Sequence, residues 1–414
     1  MERVVLAPVV LAAGLAAPAT PTHAERLTSG PSVAPAGQVW PVIPPETVSK
    51  DEAPLPVGIV PGTVGTMGGA VSVGAAGGVG WSTQFEVVQG VGGMEPALGI
   101  SYGGAGYGGL GVGFSLNDGG GSVSRCNQML GQDDRLEPIT WTQADALCLN
   151  GVRLIAVKGE YGAAETEYRM QTEPNVRVLG LGDSTSPYSG FGVYTPDGRQ
   201  TLYGSLQPQE WTLESLQWAQ LGNQVRVPFA WHLTRVRDRS GNEMRYRYSG
   251  ESVPGEGKIT PEDLRMTRIE YGINETAGTQ VTRRVNFTYK LVQEVLGSPT
   301  ANEPDAWVHQ GYVAGQSYTR RRVLDRVEME YLDDAQAWQQ ARYYRLGYED
   351  VPLLDPVPLT WAQEDKNGDG IPDESPFVDQ LSSADRVRLG AVQECAPSSQ
   401  TPICFWPTRF EWSA

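Results

Sequence analysis

Glycine and proline constrain the fold of this chain more than any other residue type, because together they supply 80 of its 414 residues. Such a content argues against a helical bundle and for many turns that join short strands. Twenty-three of the 50 glycines lie between Gly58 and Gly121, interleaved with valine and aromatic residues. Glycines in that pattern suit tight hairpins and bulged strands. The length allows one large β domain or two or three ordinary domains.

Alternating apolar and polar residues predict strands along the rest of the chain. Trp231–Asp238 and Met244–Tyr248 both alternate, and the turn residues Ser240-Gly241-Asn242 separate them. This pattern predicts a β-hairpin with tyrosines on one face and arginines on the other. Similar runs follow: Met266–Tyr271, Arg284–Tyr289, Arg322–Tyr331, Arg342–Tyr348, Arg386–Val392 and Phe405–Trp412. Ala335–Ala341 is the best candidate for a short helix. We therefore predict an all-β fold, an extended multi-stranded antiparallel sheet with Gly-rich hairpins, in one domain or two tightly joined ones.

The N-terminal stretch Met1–Ala24 has the features of a secretory signal peptide. An apolar run from Val4 to Ala17 follows Arg3, and Thr22-His23-Ala24 has small residues at its first and last positions, so we expect cleavage after Ala24. The run is too short to span a bilayer. Residues 25–57 hold seven prolines and no apolar periodicity, which predicts an extended linker. We therefore expect a secreted protein, extracellular or periplasmic, with no membrane span and an all-β domain over residues 58–414.

The four cysteines predict two disulfides, because an even number in an exported protein is usually paired. Cys126 lies close to Cys148 in the sequence, and Cys395 lies still closer to Cys404. Local pairing of each couple is the economical choice among the three possible connectivities. A zinc site is disfavoured, since the sequence has no C-x-x-C and no histidine pair near these cysteines.

Acidic residues are unevenly distributed. The chain has 48 acidic against 32 basic side chains, a formal net charge of −16. That balance disfavours nucleic acid as a partner, because a phosphate backbone needs clustered Lys and Arg. Residues 349–379 hold nine acidic residues and one basic residue, so half of the net charge lies in this stretch.

One loop in this acidic stretch has the spacing of a calcium site. From Asp365, oxygen side chains occupy positions 1, 3, 5 and 9, glycine occupies position 6, and a backbone carbonyl is available at position 7. Position 12 is Pro376, where an EF-hand carries a bidentate Glu, so the loop is similar to those of extracellular calcium modules. The predicted ligands of a structural calcium ion are Asp365, Asn367, Asp369, Ile371 and Asp373. The alternative is a solvated acidic turn.

The sequence contains only weak matches to known catalytic motifs. Gly106–Gly111 matches G-x-G-x-x-G, but no helix can follow it, and there is no G-x-S-x-G. His232 lies within a predicted strand, which favours a structural imidazole, and His309 lies in no motif. Ser184–Ser186 and Glu328–Glu330 are similar to elements of ADP-ribosyltransferases, but they lie too far apart in the sequence for one compact site. The two glutamates are more simply explained as outward side chains of a strand.

Several stretches together resemble the SpvB/TcdB N-terminal domain family, which comprises the Salmonella virulence plasmid B protein and the B component of insecticidal toxin complexes. The matching stretches occur in the family's order and cover about residues 58–414. They are Gly62–Val64, Gly69–Gly93, Gly92–Tyr102, Gly109–Leu116, Ser124–Cys126, Leu147–Leu154, Tyr161-Gly162, Glu167–Arg169, Trp231–Leu233, Asp238–Asn242, Tyr343–Tyr348, Leu389–Cys395 and Pro407–Trp412. The segment 349–383, with the calcium-type loop, is an insertion relative to the family pattern.

The resemblance implies an all-β module that in toxin complexes helps to build a shell around a toxic segment. The family's catalytic C-terminal domain is absent from this chain, so the resemblance implies no enzyme activity here. We accordingly expect a secreted, non-enzymatic, virulence-related scaffold or carrier that partners with separately encoded Rhs or toxin-complex shell or effector chains. The alternatives are a calcium-dependent surface or adhesion protein and, with less support, an ADP-ribosyltransferase toxin.

Overall fold

The structure is a computed structural model, and it describes most of the chain from residue 67 onward. The described ranges are 67–74, 77–182, 189–205, 215–222, 225–251, 257–292, 309–348, 387–397 and 403–410, with backbone alone at 104–108, 309 and 310. They belong to one unit, which begins at Leu55. The predicted signal peptide, linker and acidic insertion lie outside the described residues.

The prediction of an all-β fold is confirmed: 61% of the described residues are in strands and 4% are helical. The first eleven strands are β1 Ala70–Val73, β2 Val79–Phe85, β3 Leu98–Gly108, β4 Gly111–Asn117, β5 Ser122–Cys126, β6 Ala146–Leu149, β7 Val152–Lys158, β8 Glu167–Met170, β9 Arg177–Leu181, β10 Gly190–Tyr194 and β11 Gln200–Gly204. The others are β12 Leu216–Gln220, β13 Arg226–Arg237, β14 Asn242–Glu251, β15 Lys258–Thr260, β16 Glu262–Asn274, β17 Arg283–Leu291, β18 His309–Val313, β19 Gln316–Arg320, β20 Arg322–Leu332, β21 Trp338–Tyr348, β22 Leu389–Ala396, β23 Ile403–Cys404 and β24 Thr408–Arg409. A 3₁₀ turn over Val91–Gly93 and the four-residue helix α1, Leu130–Asp133, complete the described elements.

Eight strands close into an antiparallel barrel. The pairings run from β5 through β11 in sequence order, then from β11 to β13, and β13 returns to β5 with Trp231 opposite Val123. Fully buried aromatic side chains lie inside it: the rings of Phe191 and Trp231 are 5.0 Å apart, and those of Tyr168 and Phe191 are 6.4 Å apart. The barrel interior is therefore packed with side chains, as small barrels require.

The twelve-residue strand β13 joins the barrel to a second sheet. That sheet continues from β13 through β14, β16, β17, β20, β21 and β22, and both β23 and β24 pair with β22. On its other side β13 pairs with β12, and β12 pairs with β15. The described pairings are antiparallel except for the contact of β15 with β19, where Lys258 lies opposite Ser317.

Strands β1 to β4 form a separate four-stranded sheet that packs against the inner face of this second sheet. The Phe85 ring stacks on Tyr344 with centroids 4.2 Å apart, and the Glu86 amide donates to the Tyr344 hydroxyl at 2.9 Å. Nearby, the Tyr271 hydroxyl donates to the carbonyl of Val88 at 2.7 Å. Buried tyrosines thus combine apolar packing with satisfied hydroxyl groups, and the two layers form a sandwich beside the barrel.

The predicted hairpin around Ser240-Gly241-Asn242 is confirmed. Strands β13 and β14 pair with Val236 opposite Met244, and the Asp238 carboxylate accepts from the amides of Ser240 at 2.8 Å and Asn242 at 2.9 Å. The tyrosines of β14 are buried and its arginines lie on the opposite face. Period-two alternation therefore predicted both the strand and its buried face correctly.

The predicted helix at Ala335–Ala341 is wrong, because this stretch closes a hairpin between β20 and β21. The Asp333 side chain accepts from the amide of Ala337 at 2.8 Å, and Gln336 has a left-handed φ of 61°. An Asp side chain that bonds the backbone in this way stabilises a turn in place of a helical start. Trp338 then begins β21, and pairing with β20 overrides the weak helix propensity of the alanines. Of the predicted strand at Phe405–Trp412, the structure describes Phe405–Phe410, and there β24 spans only Thr408 and Arg409.

Both disulfides are present in the local pairing. Cys126 and Cys148 join neighbouring strands β5 and β6, with Cα atoms 5.9 Å apart. Cys395 and Cys404 lie directly opposite each other on β22 and β23. Each bond therefore crosslinks strands that already pair, and no described cysteine is free.

Candidate functional site

A short glycine segment holds the carboxylate of Asp118 at the junction of the barrel and the second sheet. Asp118 follows β4, and the next three residues are glycines. The Gly120 amide donates to Asp118 Oδ1 at 2.8 Å, and a Cβ atom at Gly120 would lie 2.8 Å from the same oxygen. Gly121 then accepts from the amide of Leu233 on β13 at 3.1 Å. Only a backbone without side chains can approach the carboxylate this closely.

Four tyrosines from three strands influence one another electrostatically, and we name them the tyrosine cluster. They are Tyr203 of β11, Tyr246 and Tyr248 of β14, and Tyr289 of β17. The first three are 4 to 6% exposed, and Tyr289 is half-buried. Tyr246, Tyr248 and Tyr289 lie on the inner face of the second sheet, because the residues that alternate with them are on its outer face. Tyr203 belongs to the barrel strand β11.

The side chains of this region influence one another electrostatically. Burial raises the pKa of Asp118 above its usual range, although the hydrogen bond from Gly120 opposes the shift. Burial likewise raises the pKa of Tyr246, Tyr248 and Tyr289, and the nearby negative charge of Asp118 raises each of them further. Burial raises the pKa of Tyr203 to about 12. The tyrosines therefore remain neutral hydrogen-bonding groups at any physiological pH.

His232 lies beside the cluster and is a structural residue, in keeping with its predicted place in a strand. Its Nε2 is 3.0 Å from Gln217 Oε1, and its ring centroid is 5.6 Å from that of Tyr248. Burial lowers the pKa of His232 to about 4, and the positive charge of Arg320 contributes to the same shift. The imidazole is therefore neutral at neutral pH and is held by Gln217.

The outer face of the second sheet carries paired charges, and we name it the charged face. Its residues come from five successive strands of the sheet: Arg245, Arg247, Arg268, Glu270, Arg284, Asn286, Arg326, Glu328, Glu330 and Gln340. Arg284 lies opposite both Glu270 and Glu330 in register, and Asn286 donates to Glu330 at 2.6 Å. Opposite charges on facing strands contribute about 0.2–1 kcal/mol per pair. The charged face is therefore a stabilised wall of alternating charge.

The two glutamates that are similar to a transferase element belong to this wall. Glu328 and Glu330 lie on β20 with Met329 fully buried between them, which is the outward arrangement expected from sequence. Arg284 and Asn286 both hydrogen-bond to Glu330, and Gln340 donates to Glu328 at 2.8 Å. Ser184–Ser186 lie outside the described residues. For His309 the structure describes the backbone, which begins β18.

The predicted calcium ligands Asp365, Asn367, Asp369, Ile371 and Asp373 also lie outside the described residues. Within the described ranges, no group of three or more His, Cys, Asp or Glu side chains could hold a metal ion. No helix in the described part of the chain is long and apolar enough to cross a membrane.

Solved structures of other proteins have a similar arrangement of barrel and sandwich. The crystal structure of TcdB2-TccC3 matches with a TM-score of 0.56 and 16% identity, over 86% of this chain and 17% of that one. The Tc holotoxin pore of Photorhabdus luminescens matches with a TM-score of 0.57 and 16% identity, over 87% of this chain and 16% of that one. The described chain has the fold of a Tc toxin segment. The resemblance expected from sequence is thus confirmed at the level of the fold.

A structure of the N-terminal domain of the effector protein SpvB from Salmonella typhimurium strain LT2 also matches, with a TM-score of 0.48 and 16% identity. It is matched over 98% of its length and covers 76% of this chain. No family model and no curated protein matches the sequence. This chain spans less than a fifth of the Tc toxin chains, so the likeness concerns one segment of those proteins.

The Tc toxin fold brings together residues that sequence reasoning left apart. Asp118 lies far from the first tyrosine of the cluster in the sequence, yet in the fold its charge acts on Tyr246, Tyr248 and Tyr289. Two local signals were available: an aspartate before three glycines, and two buried tyrosines in the hairpin strand β14. Neither signal predicts that the aspartate and the tyrosines influence each other, because that depends on how strands distant in the sequence pair.

Proposed function

We propose that this chain is a secreted, non-enzymatic module of a toxin assembly, in which it acts as a scaffold or carrier. The observation that carries the proposal is the shared fold, which extends over 86% of this chain and only 17% of the TcdB2-TccC3 chain. The names of those structures join TcdB2 with TccC3, and one describes a holotoxin pore. By analogy, the partners of this chain are separately encoded Rhs or toxin-complex shell or effector chains.

The chemistry of the described residues supports a structural role. The residues that sequence analysis weighed for catalysis are engaged in structural contacts: Glu330 with Arg284 and Asn286, and His232 with Gln217. The charged face pairs its own charges across five strands, which gives a rigid, soluble wall. A paired charged face on the second sheet, beside a barrel with a packed interior, suits a scaffold.

Co-purification tests the scaffold role directly. The tagged mature chain is co-expressed with the repeat-containing chain encoded beside it, and the eluted complex is sized by light scattering. We expect a stable complex of defined stoichiometry. A folded chain that captures none of the neighbouring repeat-containing chains contradicts the proposal. Transfer of label from NAD to a target protein, lost in Glu330→Gln, would establish the transferase alternative instead.

We further propose that the loop from Asp365 to Asp373 binds calcium, and its ligand spacing supports this. With a dissociation constant of about 10⁻⁴–10⁻³ M, a tenfold excess of free calcium stabilises the folded chain by about 1.4 kcal/mol. The melting temperature should therefore rise with calcium and return in chelator. It should stay constant in the double variant Asp365→Ala with Asp369→Ala.

A control variant makes this calcium test specific. The variant Glu349→Ala with Asp350→Ala removes the same charge outside the loop and should keep the calcium response. An unchanged wild-type transition in calcium contradicts the calcium proposal. Binding to cells that chelator abolishes, with no complex in co-purification, would favour the adhesion alternative.

A further inference from the structure

We propose that the outer edge of strand β1 pairs with the same edge of a second copy of this chain, which joins two four-stranded sheets into one sheet of eight strands. The proposal does not depend on the scaffold role, because it needs no partner other than the chain itself. It rests on three observations: an exposed edge strand without charge, valines left uncovered on the face that elsewhere packs against the core, and a strand sequence that is close to its own reverse.

Strand β1 is the outermost strand of the sheet formed by β1 to β4. Its residues Ala70–Val73 pair with β2, with Val73 opposite Val79, and all four are exposed. Within the described ranges, no strand pairs with the other side of β1. The outward N–H and C=O groups of β1 therefore form a row that is available to another strand.

This edge lacks the charged side chains, prolines and bulges that usually protect the edges of sheets. From Met67 to Phe85 the sequence has no charged residue and no proline, and the register of β1 with β2 runs without a shift. The second sheet, in contrast, ends in β23 and β24, which span two residues each, and β24 carries Arg409. An unprotected edge of this kind is suited to the addition of a further strand.

Three valines are exposed on one face of the hairpin formed by β1 and β2. Val71 and Val73 are 71% and 70% exposed, and Val79 is 56% exposed. The same face carries Trp81, which lies opposite Val71 and two residues from Val79. The Trp81 ring packs against Phe410, with centroids 4.9 Å apart. The face that packs against other parts of the fold at Trp81 is therefore uncovered at the valines, and exposed apolar surface of this kind often marks an interface.

The sequence of the strand favours a second copy as the partner. In both directions from Ser72 the chain has a valine and then a small residue: Val71 and Ala70 on one side, Val73 and Gly74 on the other. An antiparallel pair centred on Ser72 would place Val71 of each copy opposite Val73 of the other, on the same face of the joined sheet. A two-fold interface requires a surface that is complementary to itself in this way.

The opposite edge of the sheet, β4, is contacted by the rest of the chain. The Val112 amide donates to the Val387 carbonyl at 2.9 Å, and the Phe114 ring is 4.7 Å from that of Phe410. A head-to-tail contact between β1 and β4 would have to displace these contacts and would continue into a filament. Pairing of β1 with β1 keeps them and closes after two copies.

The charge distribution also favours contact at this edge. Each copy has a formal net charge of −16, so two copies repel one another. Pairing at β1 buries no charge, because the hairpin has none. The association should therefore strengthen at high salt, since salt screens the repulsion between the copies and the edge has no ion pair to weaken. An edge of four residues is much smaller than a standard interface of about 1,600 Å², so the dimer should be weak.

Sedimentation equilibrium of the full mature chain tests the proposal. We expect the average mass to rise from one chain toward two as the concentration increases from about 1 µM to about 1 mM, and to rise further at high salt. A chain that stays monomeric over this range overturns the proposal. Assembly beyond two copies, or association that high salt weakens, also overturns it, because these results indicate head-to-tail or ionic contacts.

Charge substitutions show whether the contact lies at β1. Val71→Lys adds a charge to the edge and should weaken the association about tenfold or more. The matched control is Val157→Lys, at a valine of β7 that is 55% exposed, and it should associate like the wild type. Circular dichroism checks that both variants are folded, which their exposed positions favour. Equal association of the two variants contradicts the assignment to β1.

A crosslink tests the two-fold register. Directly opposite residues of antiparallel strands have Cα atoms about 4.5–5.5 Å apart, which a disulfide can bridge. The four native cysteines are paired within the chain, so Ser72→Cys adds a single thiol and should give a disulfide-linked dimer under mild oxidation. Val157→Cys should stay monomeric. A monomeric Ser72→Cys variant overturns the register, and the proposal with it.

A different occupant of the edge would give a different result. If the chain forms no dimer but Val71→Lys abolishes its complex with the neighbouring repeat-containing chain, the edge belongs to that chain, and the proposal of a second copy is overturned. A dimer without such a complex would support the pairing of β1 with β1 while contradicting the scaffold role. The two proposals can therefore fail separately.

Discussion

Replacing Asp145 by alanine should lower the free energy of unfolding by about 3–5 kcal/mol, because the change leaves a buried guanidinium without its counter-ion. Arg125 of β5 is 6% exposed and Asp145 is 4% exposed. Arg125 Nη1 lies 2.9 Å from Asp145 Oδ2, and Arg125 Nε donates to the Pro228 carbonyl at 2.6 Å. The other carboxylate oxygen accepts from the Thr140 amide at 2.7 Å. The pair thus ties the loop before β6 to β5 and β13.

Urea unfolding followed by circular dichroism measures this effect. The control is Glu137→Ala, which removes an exposed pair with Arg135 at 3.6 Å and should cost at most about 1 kcal/mol. Replacing both charges, in Arg125→Met with Asp145→Leu, should recover much of the loss, since no uncompensated charge then remains. A loss below about 1 kcal/mol in Asp145→Ala would show that the pair is not buried in solution.

Trp231→Ala should also cost about 3–5 kcal/mol, because it removes the largest fully buried side chain of the barrel and leaves a cavity. Trp231 lies on β13, the strand that the barrel and the second sheet share, opposite Val123 of β5 and Leu216 of β12. Its ring meets Phe191 edge to face with centroids 5.0 Å apart. The loss should therefore destabilise both parts of the fold together.

The matched control for this prediction is Trp406→Ala. Trp406 is 43% exposed, so its removal leaves no enclosed cavity and should cost about 1 kcal/mol or less. Thermal unfolding with tryptophan fluorescence and calorimetry distinguishes the two variants. Equal effects of the two substitutions would contradict the packed barrel described here.

The alternation of apolar and polar residues predicted strands correctly where one face of the strand is buried. The hairpin of β13 and β14 shows this, since alternation predicted the strands, the turn at Ser240-Gly241-Asn242 and the buried tyrosine face. The same reasoning failed at Ala335–Ala341, where alanines favour a helix but Asp333 and the pairing of β21 with β20 impose a turn and a strand. Helix propensity is worth a few tenths of a kcal/mol per residue, and sheet pairing outweighs it.

The sequence by itself determined the all-β class, the hairpin signals and the cysteine pairs that are close enough to join neighbouring strands. These properties depend on residues a few positions apart, so period and spacing reveal them. Only the tertiary structure decided that β13 returns to β5 to close a barrel, and that the charge of Asp118 acts on tyrosines of β14 and β17. Strand order and the packing of layers depend on contacts between residues far apart in the chain, and no local pattern records which strand finds which neighbour. The abundance of glycine and proline indicated many turns. The fold shows that one short glycine run, after Asp118, lets the backbone close around a carboxylate.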